Sequence, residues 1–290
     1  MNKRRQFILI SVLALGLFVL LKSLPDTHCA LLHVDHQPVL DRGLEFCGVN
    51  EQANFYSPKD LQFPVKAEIK FNQKDGELRL VKTDGKFYYD YEIGISHTQK
   101  VHLHLKQNTG RNDYIHLHPV SDDFGIWRFK FPEEFLKGNP GGALQAYVDF
   151  VPLRSGRTIL AEAYGTWSNE SELGDRVSRN KIVSLNTNTY KTGESATLRV
   201  KLASGATPNA LKLKPIMGTL GHAVIFSTDP KKTGYAHMHP SLEGQEYESQ
   251  PTLAFKLKLP AAGDYEIWIN IDDGANDYLV APLRVTNQAQ

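Results

Sequence analysis

Apolar and polar residues alternate at period two in many short stretches of this chain. Ala67-Glu68-Ile69-Lys70-Phe71, Thr197-Leu198-Arg199-Val200-Lys201-Leu202 and Phe255-Lys256-Leu257-Lys258-Leu259 each put one apolar and one polar face on an extended backbone. Turn-forming groups such as Asp84-Gly85, Ala262-Gly263-Asp264 and Asp273-Gly274 stand between such stretches. Short alternating strands with frequent turns and no long helical period predict an all-β chain of immunoglobulin-like β-sandwiches. The N-terminus differs. Lys3, Arg4 and Arg5 precede an unbroken apolar run of 15 residues from Phe7 to Leu21. A basic start followed by a short apolar run reads as a secretory signal or signal-anchor helix. The run is shorter than the roughly 20 residues of a spanning helix, although Lys22 can snorkel. Residues Ser23 to Cys29 hold neither a small-x-small cleavage site nor a lipobox. An uncleaved anchor with its basic end in the cytoplasm is therefore preferred. The remainder is expected in the periplasm, anchored to the inner membrane, or secreted if the signal is cleaved.

The body of the chain repeats itself. Tyr114-Ile115-His116-Leu117-His118-Pro119 returns as Tyr235-Ala236-His237-Met238-His239-Pro240, 121 residues later. Downstream, Phe129-Lys130-Phe131-Pro132 corresponds to Leu257-Lys258-Leu259-Pro260. Gly142-Ala143-Leu144 corresponds to Gly263-Asp264-Tyr265, again 121 apart. Landmarks repeating in one order indicate a tandem duplication. The expected organisation is a signal or anchor over 1–24, an irregular segment over 25–60, a first sandwich over 61–167, a linker over 168–180 and a second sandwich over 181–288. The linker rests on the polar, unpatterned run around Trp167 to Arg176.

All 11 histidines fall within residues 28–36, 97–118 and 222–239. In the first copy, His102 and His104 precede the polar, turn-rich segment Lys106 to Asp113, and His116 and His118 follow it. The two flanks form a hairpin in this reading. A register in which paired residue numbers sum to 220 sets His104 opposite His116 and keeps all four imidazoles on one face. In the second copy, a register summing to 461 sets His222 opposite His239, with His237 on the same face and Met238 turned into the core. Neutral imidazole is a common ligand for copper, zinc and nickel ions, and opposed strand positions are close enough to share one. The candidate metal ligands are His102, His104, His116 and His118 in one site, and His222, His237 and His239 in the other. Asp229 and Met217 are conceivable additions. His97 is expected to be structural. The rival reading holds that H-x-H-P is a structural signature, with the prolines ending strand pairing.

Composition narrows the field. With 33 Lys+Arg against 32 Asp+Glu, the net charge of +1 carries no footprint for nucleic acid. The two cysteines, Cys29 and Cys47, pair as a disulfide if the chain is exported; alternatively Cys29 joins His28, His33 and His36 in a third metal site. There is no Gly-rich phosphate loop, G-x-S-x-G elbow or H-E-x-x-H zinc helix. A non-enzyme is expected. A copper oxidoreductase would need the histidine faces of the two copies to meet.

The His97-x4-His102…Tyr114-Ile115-His116-Leu117-His118-Pro119 and Gly221-His222…His237-Met238-His239-Pro240 motifs resemble those of bacterial exported or membrane-attached proteins with tandem H-x-H-P sandwich domains. The likeness covers about residues 61–288 and is better in the second copy, because Leu144 stands where the second has Tyr265. That group is distantly similar to periplasmic copper-binding sandwiches. The resemblance implies an exported protein of sandwich fold; together with the histidine clusters, it reads as a protein that sequesters or delivers copper, with zinc second. The alternative is a non-catalytic interaction or assembly module of an envelope complex, its histidines structural.

Overall fold

The computed structural model describes residues 3–23, 55–57, 63–109, 113–122, 124–170, 181–204, 213–216, 218–229, 231–243, 251–274 and 276–287. Cys29, Cys47 and the N-terminal histidines, His28, His33 and His36, lie outside them, as do Met217 and most of the expected linker. The N-terminal run forms a helix, α1 (Lys3–Ser23). Among the described residues no helix is long and apolar enough to cross a membrane.

The alternating stretches are strands. In chain order they are β1 (Phe55–Tyr56), β2 (Val65–Phe71), β3 (Asp75–Lys82), β4 (Ile93–Gly94), β5 (Val101–Gln107), β6 (Tyr114–Leu117), β7 (Val120–Ser121), β8 (Trp127–Lys130), β9 (Gly141–Pro152) and β10 (Ile159–Ser168). The second half holds β11 (Lys181–Leu185), β12 (Thr189–Lys191), β13 (Ala196–Ser204), β14 (His222–Ser227) and β15 (Tyr235–Met238). It ends with β16 (Ser241–Glu243), β17 (Thr252–Leu257), β18 (Gly263–Asp272) and β19 (Asn276–Thr286).

Each half builds a two-sheet immunoglobulin-like sandwich. The first pairs the sheet β2-β3-β8-β7 with the sheet β10-β9-β5-β6, to which β4 adds on β9. The second pairs β11-β13-β17-β16 with β1-β15-β14-β18-β19-β12. Strands β10-β9-β5-β6 and β19-β18-β14-β15 occupy the same order, as do β2-β3-β8-β7 and β11-β13-β17-β16. The duplication read from the motifs is thus a duplication of topology. Leu78, Leu103, Trp127, Val148 and Phe150 fill the first core, and Leu198, Ile225, Phe255, Ile267 and Ile269 the second. In the second sandwich the Tyr265 hydroxyl donates to the Ala261 carbonyl four residues upstream, 2.8 Å away. This is the bond of a tyrosine corner, which Leu144 cannot make in the first.

One strand departs from expectation. Phe55–Tyr56, within the stretch expected to be irregular, pairs with β15 and covers that edge of the second sandwich. The close pairing requires Gly234: its φ is +132°, and a Cβ there would lie 2.8 Å from the Tyr56 carbonyl and the Phe55 ring.

Both sandwiches belong to one compact unit, Val39–Gln290, and their histidine-bearing faces meet. Alternation puts His102, His104, Tyr114, His116, Tyr147 and Asp149 on the face of the first sheet away from its own core. Yet every residue of β5 and β6 is buried, because the second sandwich covers that face. Tyr114, Tyr147, Leu160, Val224, Phe226, Tyr235 and Trp268 form a separate apolar cluster between the two cores. Lys106 reaches across to Glu266 at 3.3 Å and lies 4.9 Å over the Trp268 ring. Gly234 N–H donates to the Tyr147 hydroxyl at 2.9 Å.

Candidate metal centre

The hairpin β5–β6 adopts the register that sums to 220, with His104 directly opposite His116. Strands β14 and β15 adopt the one that sums to 461, with Ala223 opposite Met238. In both hairpins the imidazoles share a face, and Met238 packs in the second core. The two histidine groups are not separate, however. The ring centroid of His237 lies 4.6 Å from that of His104, 5.1 Å from His116 and 5.4 Å from His102. His222 is 5.6 Å from His116, and His97 is 3.9 Å from His239. All seven candidate ligands, with His97, line one seam between the sandwiches.

Hydrogen bonding assigns the rings different roles. His102 Nε2 lies 2.9 Å from the Ser96 carbonyl, which can only accept, so the proton sits there and the Nδ1 lone pair faces the seam. That Nδ1 is 3.2 Å from His116 Nε2. Two ligands of a tetrahedral ion, each at ~2.05 Å, stand about 3.3 Å apart. Both ring nitrogens of His104 have protein partners: the Tyr114 hydroxyl donates to Nδ1 at 2.8 Å, and Nε2–H donates to Asp149 Oδ2 at 3.1 Å. Although a nitrogen of His104 lies within 4.8 Å of nitrogens of His116 and His237, its geometry is that of a positioning residue. His104 thus stays within ligand distance of two other rings while both of its own nitrogens already have protein partners.

Asp149 is the anion of the seam. Its Oδ2 accepts from His104, accepts the Tyr235 hydroxyl of the second sandwich at 2.9 Å, and lies 3.6 Å from His237 Nδ1. Burial works to raise its pKa, but the neighbouring His102 and the N–H groups of His104 and His237 hold the carboxyl well below the usual carboxylate range. A ring that donates one N–H to a carboxylate or carbonyl and turns its other nitrogen inward has the usual arrangement of a metal-bound histidine. His102 has that arrangement through Ser96, while His237 Nδ1 lies 3.6 Å from Asp149 Oδ2, an electrostatic contact rather than a hydrogen bond.

The remaining nitrogens are conspicuous for what they lack. Among the described residues, seven buried side-chain nitrogen or oxygen atoms have no hydrogen-bond partner, and six belong to this seam. They are His116 Nδ1, His118 Nε2, both ring nitrogens of His222, His237 Nε2 and His239 Nε2. Leaving a buried polar atom unsatisfied costs about 1–3 kcal/mol, so concentrating six at one place points to a ligand that satisfies them. Burial lowers the pKa of His104 to about 4 and of His118 to about 3. It also depresses His102, His116, His222 and His239. These rings are neutral at pH 7, the form that binds metal.

Two sets of ring nitrogens, each set lying within 4.8 Å of one another, draw on one sandwich only: His102, His116 and His118, and His222, His237 and His239. Two further sets cross the seam: His104, His116 and His237, and His102, His237 and an oxygen of Asp149. Asp229 stays outside, its carboxylate accepting the Lys231 N–H in a turn.

His97 belongs to none of these sets. It and Thr98 are the non-glycine residues with positive φ among those described, +48° and +70°, inside a two-residue turn closed by Ser96 and Gln99. Such φ values are costly for a β-branched residue. The second copy closes the matching turn between Ile216 and Thr219, with Gly218 at φ +84° where the first has Thr98. The strained turn sets the Ser96 carbonyl on His102 and the His97 ring on His239.

Sequence reading missed Asp149, Tyr114 and Tyr235, although each left a signal. Asp149 is the one charged residue in the strand Ala146-Tyr147-Val148-Asp149-Phe150-Val151, and a tyrosine stands two positions before the first histidine of both H-x-H-P motifs, hence on the same strand face.

Comparison with known proteins adds little about chemistry. Residues 176–288 match the family described as a domain of unknown function (DUF8832). No curated protein matches the chain. Among solved structures, the chain is similar to the Lin-41 filamin domain at 12% identity, over 38% of this chain and 95% of that one, with a TM-score of 0.25. It is similar to FdeC, an Escherichia coli adhesin, at 13% identity over 83% of this chain and 67% of that one, with a TM-score of 0.25. A chimeric titin Z1Z2 tandem is similar at 9% identity over 77% of this chain and 93% of that one, with a TM-score of 0.20.

Proposed function

We propose that this chain is an exported metal-binding protein that sequesters or delivers copper, with zinc as the second choice, through the histidines of the seam between its sandwiches. The observation that carries the reading is the collection of six unpartnered, buried imidazole nitrogens in one place. Satisfying neutral imidazoles by hydrogen bonds alone requires a donor for each lone pair, and the residues lining the seam do not provide them. A borderline metal ion accepts several such lone pairs at once. Copper ranks first because imidazole sites favour it over zinc in the divalent series. His102 is oriented as a ligand, His116, His118, His222, His237 and His239 supply unpartnered nitrogens, and His104 holds Asp149 in place. Export rests on the basic and apolar N-terminal segment, which either stays as an anchor in the inner membrane or is removed.

The rival is a non-catalytic interaction or assembly module of a bacterial envelope complex. Its support is the aromatic seam itself, which joins the two sandwiches in one compact unit. Isothermal titration with Cu(II) and Zn(II) decides between them. The intact protein is expected to bind at micromolar metal, and a His237→Ala/His239→Ala variant to bind less metal or bind it at least tenfold more weakly. Failure of the intact protein to bind either ion rejects the metal reading in favour of the module.

A further inference from the structure

The duplication repeats three histidines at corresponding strand positions. His102 matches His222 at the start of β5 and β14, while His116 and His118 match His237 and His239 in the H-x-H-P motifs. His104 has no counterpart, since Val224 stands at its place on β14. Nor does His97. The repeated residues are the two single-sandwich trios whose nitrogens lie within 4.8 Å of one another. The unrepeated His104 is the ring whose nitrogens are both engaged.

The number of free nitrogens also exceeds what one ion can take. Five rings, those of His116, His118, His222, His237 and His239, carry buried unpartnered nitrogens, and His102 Nδ1 has only His116 Nε2 beside it. A four-coordinate ion satisfies at most four of these six rings. Two ions with three imidazoles each take one lone pair from each of the six rings, leaving the N–H of His222 unpartnered, and leave one position open on each.

We infer that the seam holds two metal ions side by side, one on His102, His116 and His118 and the other on His222, His237 and His239, forming a dinuclear centre assembled only when the two sandwiches dock. The trios adjoin: ring centroids of His102 and His237 are 5.4 Å apart, and those of His116 and His222 are 5.6 Å apart. Nitrogens of His102 and His237 come within 4.8 Å of each other. With each ion ~2 Å from its nitrogens, the two stand within roughly 10 Å. A three-histidine site with an open position would bind a water or small anion there. The inference rests on the metal-binding reading above and deepens it.

Native mass spectrometry of the full-length protein titrated with Zn(II) counts the ions, and electron paramagnetic resonance of the Cu(II)-loaded protein reports their separation. The intact protein is expected to hold two ions and to give a dipole-coupled Cu(II) spectrum. His118→Ala and His239→Ala should each hold one ion and give an ordinary mononuclear spectrum. Neither substitution removes a hydrogen bond made by the free Nε2, and His118→Gln and His239→Gln repeat the test should an alanine variant fail to fold. One ion in the intact protein overturns the dinuclear centre and leaves the metal-binding reading standing. Two ions with uncoupled spectra overturn it as well, as does loss of both ions in either single variant. No bound ion at all defeats the metal-binding reading too.

Discussion

Replacing Tyr235 by phenylalanine tests how the seam is held. The ring would stay where it is, with its centroid 4.8 Å from that of Tyr147 and 5.1 Å from that of His104, and only the hydroxyl would go. That hydroxyl donates 2.9 Å to Asp149 Oδ2, and both groups are buried. A hydrogen bond to a charged acceptor contributes about 1.5–3 kcal/mol. Here the whole of it lies across the seam, because Tyr235 belongs to the second sandwich and Asp149 to the first. The loss corresponds to roughly a 10- to 150-fold weaker docking equilibrium. For a folded unit of this size it lowers the melting temperature by about 3–10 °C. Hydrogen exchange separates the two levels. The amides of β5, β6, β14 and β15 should exchange faster through opening of the seam, while strands of the outer sheets, such as β3 and β13, keep their protection. A variant that melts within 1 °C of the parent, with unchanged exchange in β5 and β15, would refute the claim that Asp149 and Tyr235 join the sandwiches.

Three other outcomes are expected. Asp149→Asn keeps the volume but removes the charge that orients His104 and His237, so Cu(II) affinity measured by titration should fall 10- to 100-fold; unchanged affinity would make Asp149 purely structural. In the metal-free protein, histidines with depressed pKa values stay neutral when folded but take up protons when unfolded. Their contribution is therefore intact above about pH 6.5, the unfolded value, and declines as pH falls toward about 4 for His104 and about 3 for His118. Each costs up to about 1.4 kcal/mol per pH unit in that window, so melting curves should shift steadily downward from pH 6.5 to 4.5, and a flat profile would contradict the buried, neutral seam. Gly234→Ala places a Cβ against the Phe55 ring and the Tyr56 carbonyl at a φ of +132°. It should destabilise the protein by about 1–3 kcal/mol in urea unfolding and expose β1 to proteolysis; a neutral substitution would mean that β1 does not seal this edge.

The sequence by itself determined the local architecture and the faces. Period-two alternation dictated strands, and the repeated motifs dictated two copies of one sandwich. The spacing of His102, His104, His116 and His118, like that of His222, His237 and His239, put the histidines of each strand on one face, because a side chain's face follows from its parity along a strand, while more than one hairpin register kept each group together. What lies opposite a face is a different question. Nothing in either copy states that the second sandwich covers the histidine face of the first, since that contact is made by residues far apart in the chain, 86 positions for Asp149 and Tyr235, and depends on the shapes of two finished sheets. Docking turned an exposed polar face into a buried one. It brought Asp149 within reach of Tyr235 and His237, divided His104 from the rings around it, and joined two groups of histidines into one seam. Burial then made each free nitrogen energetically consequential, because an imidazole on a wet surface finds water and one sealed between two sheets has only the partners folding gives it.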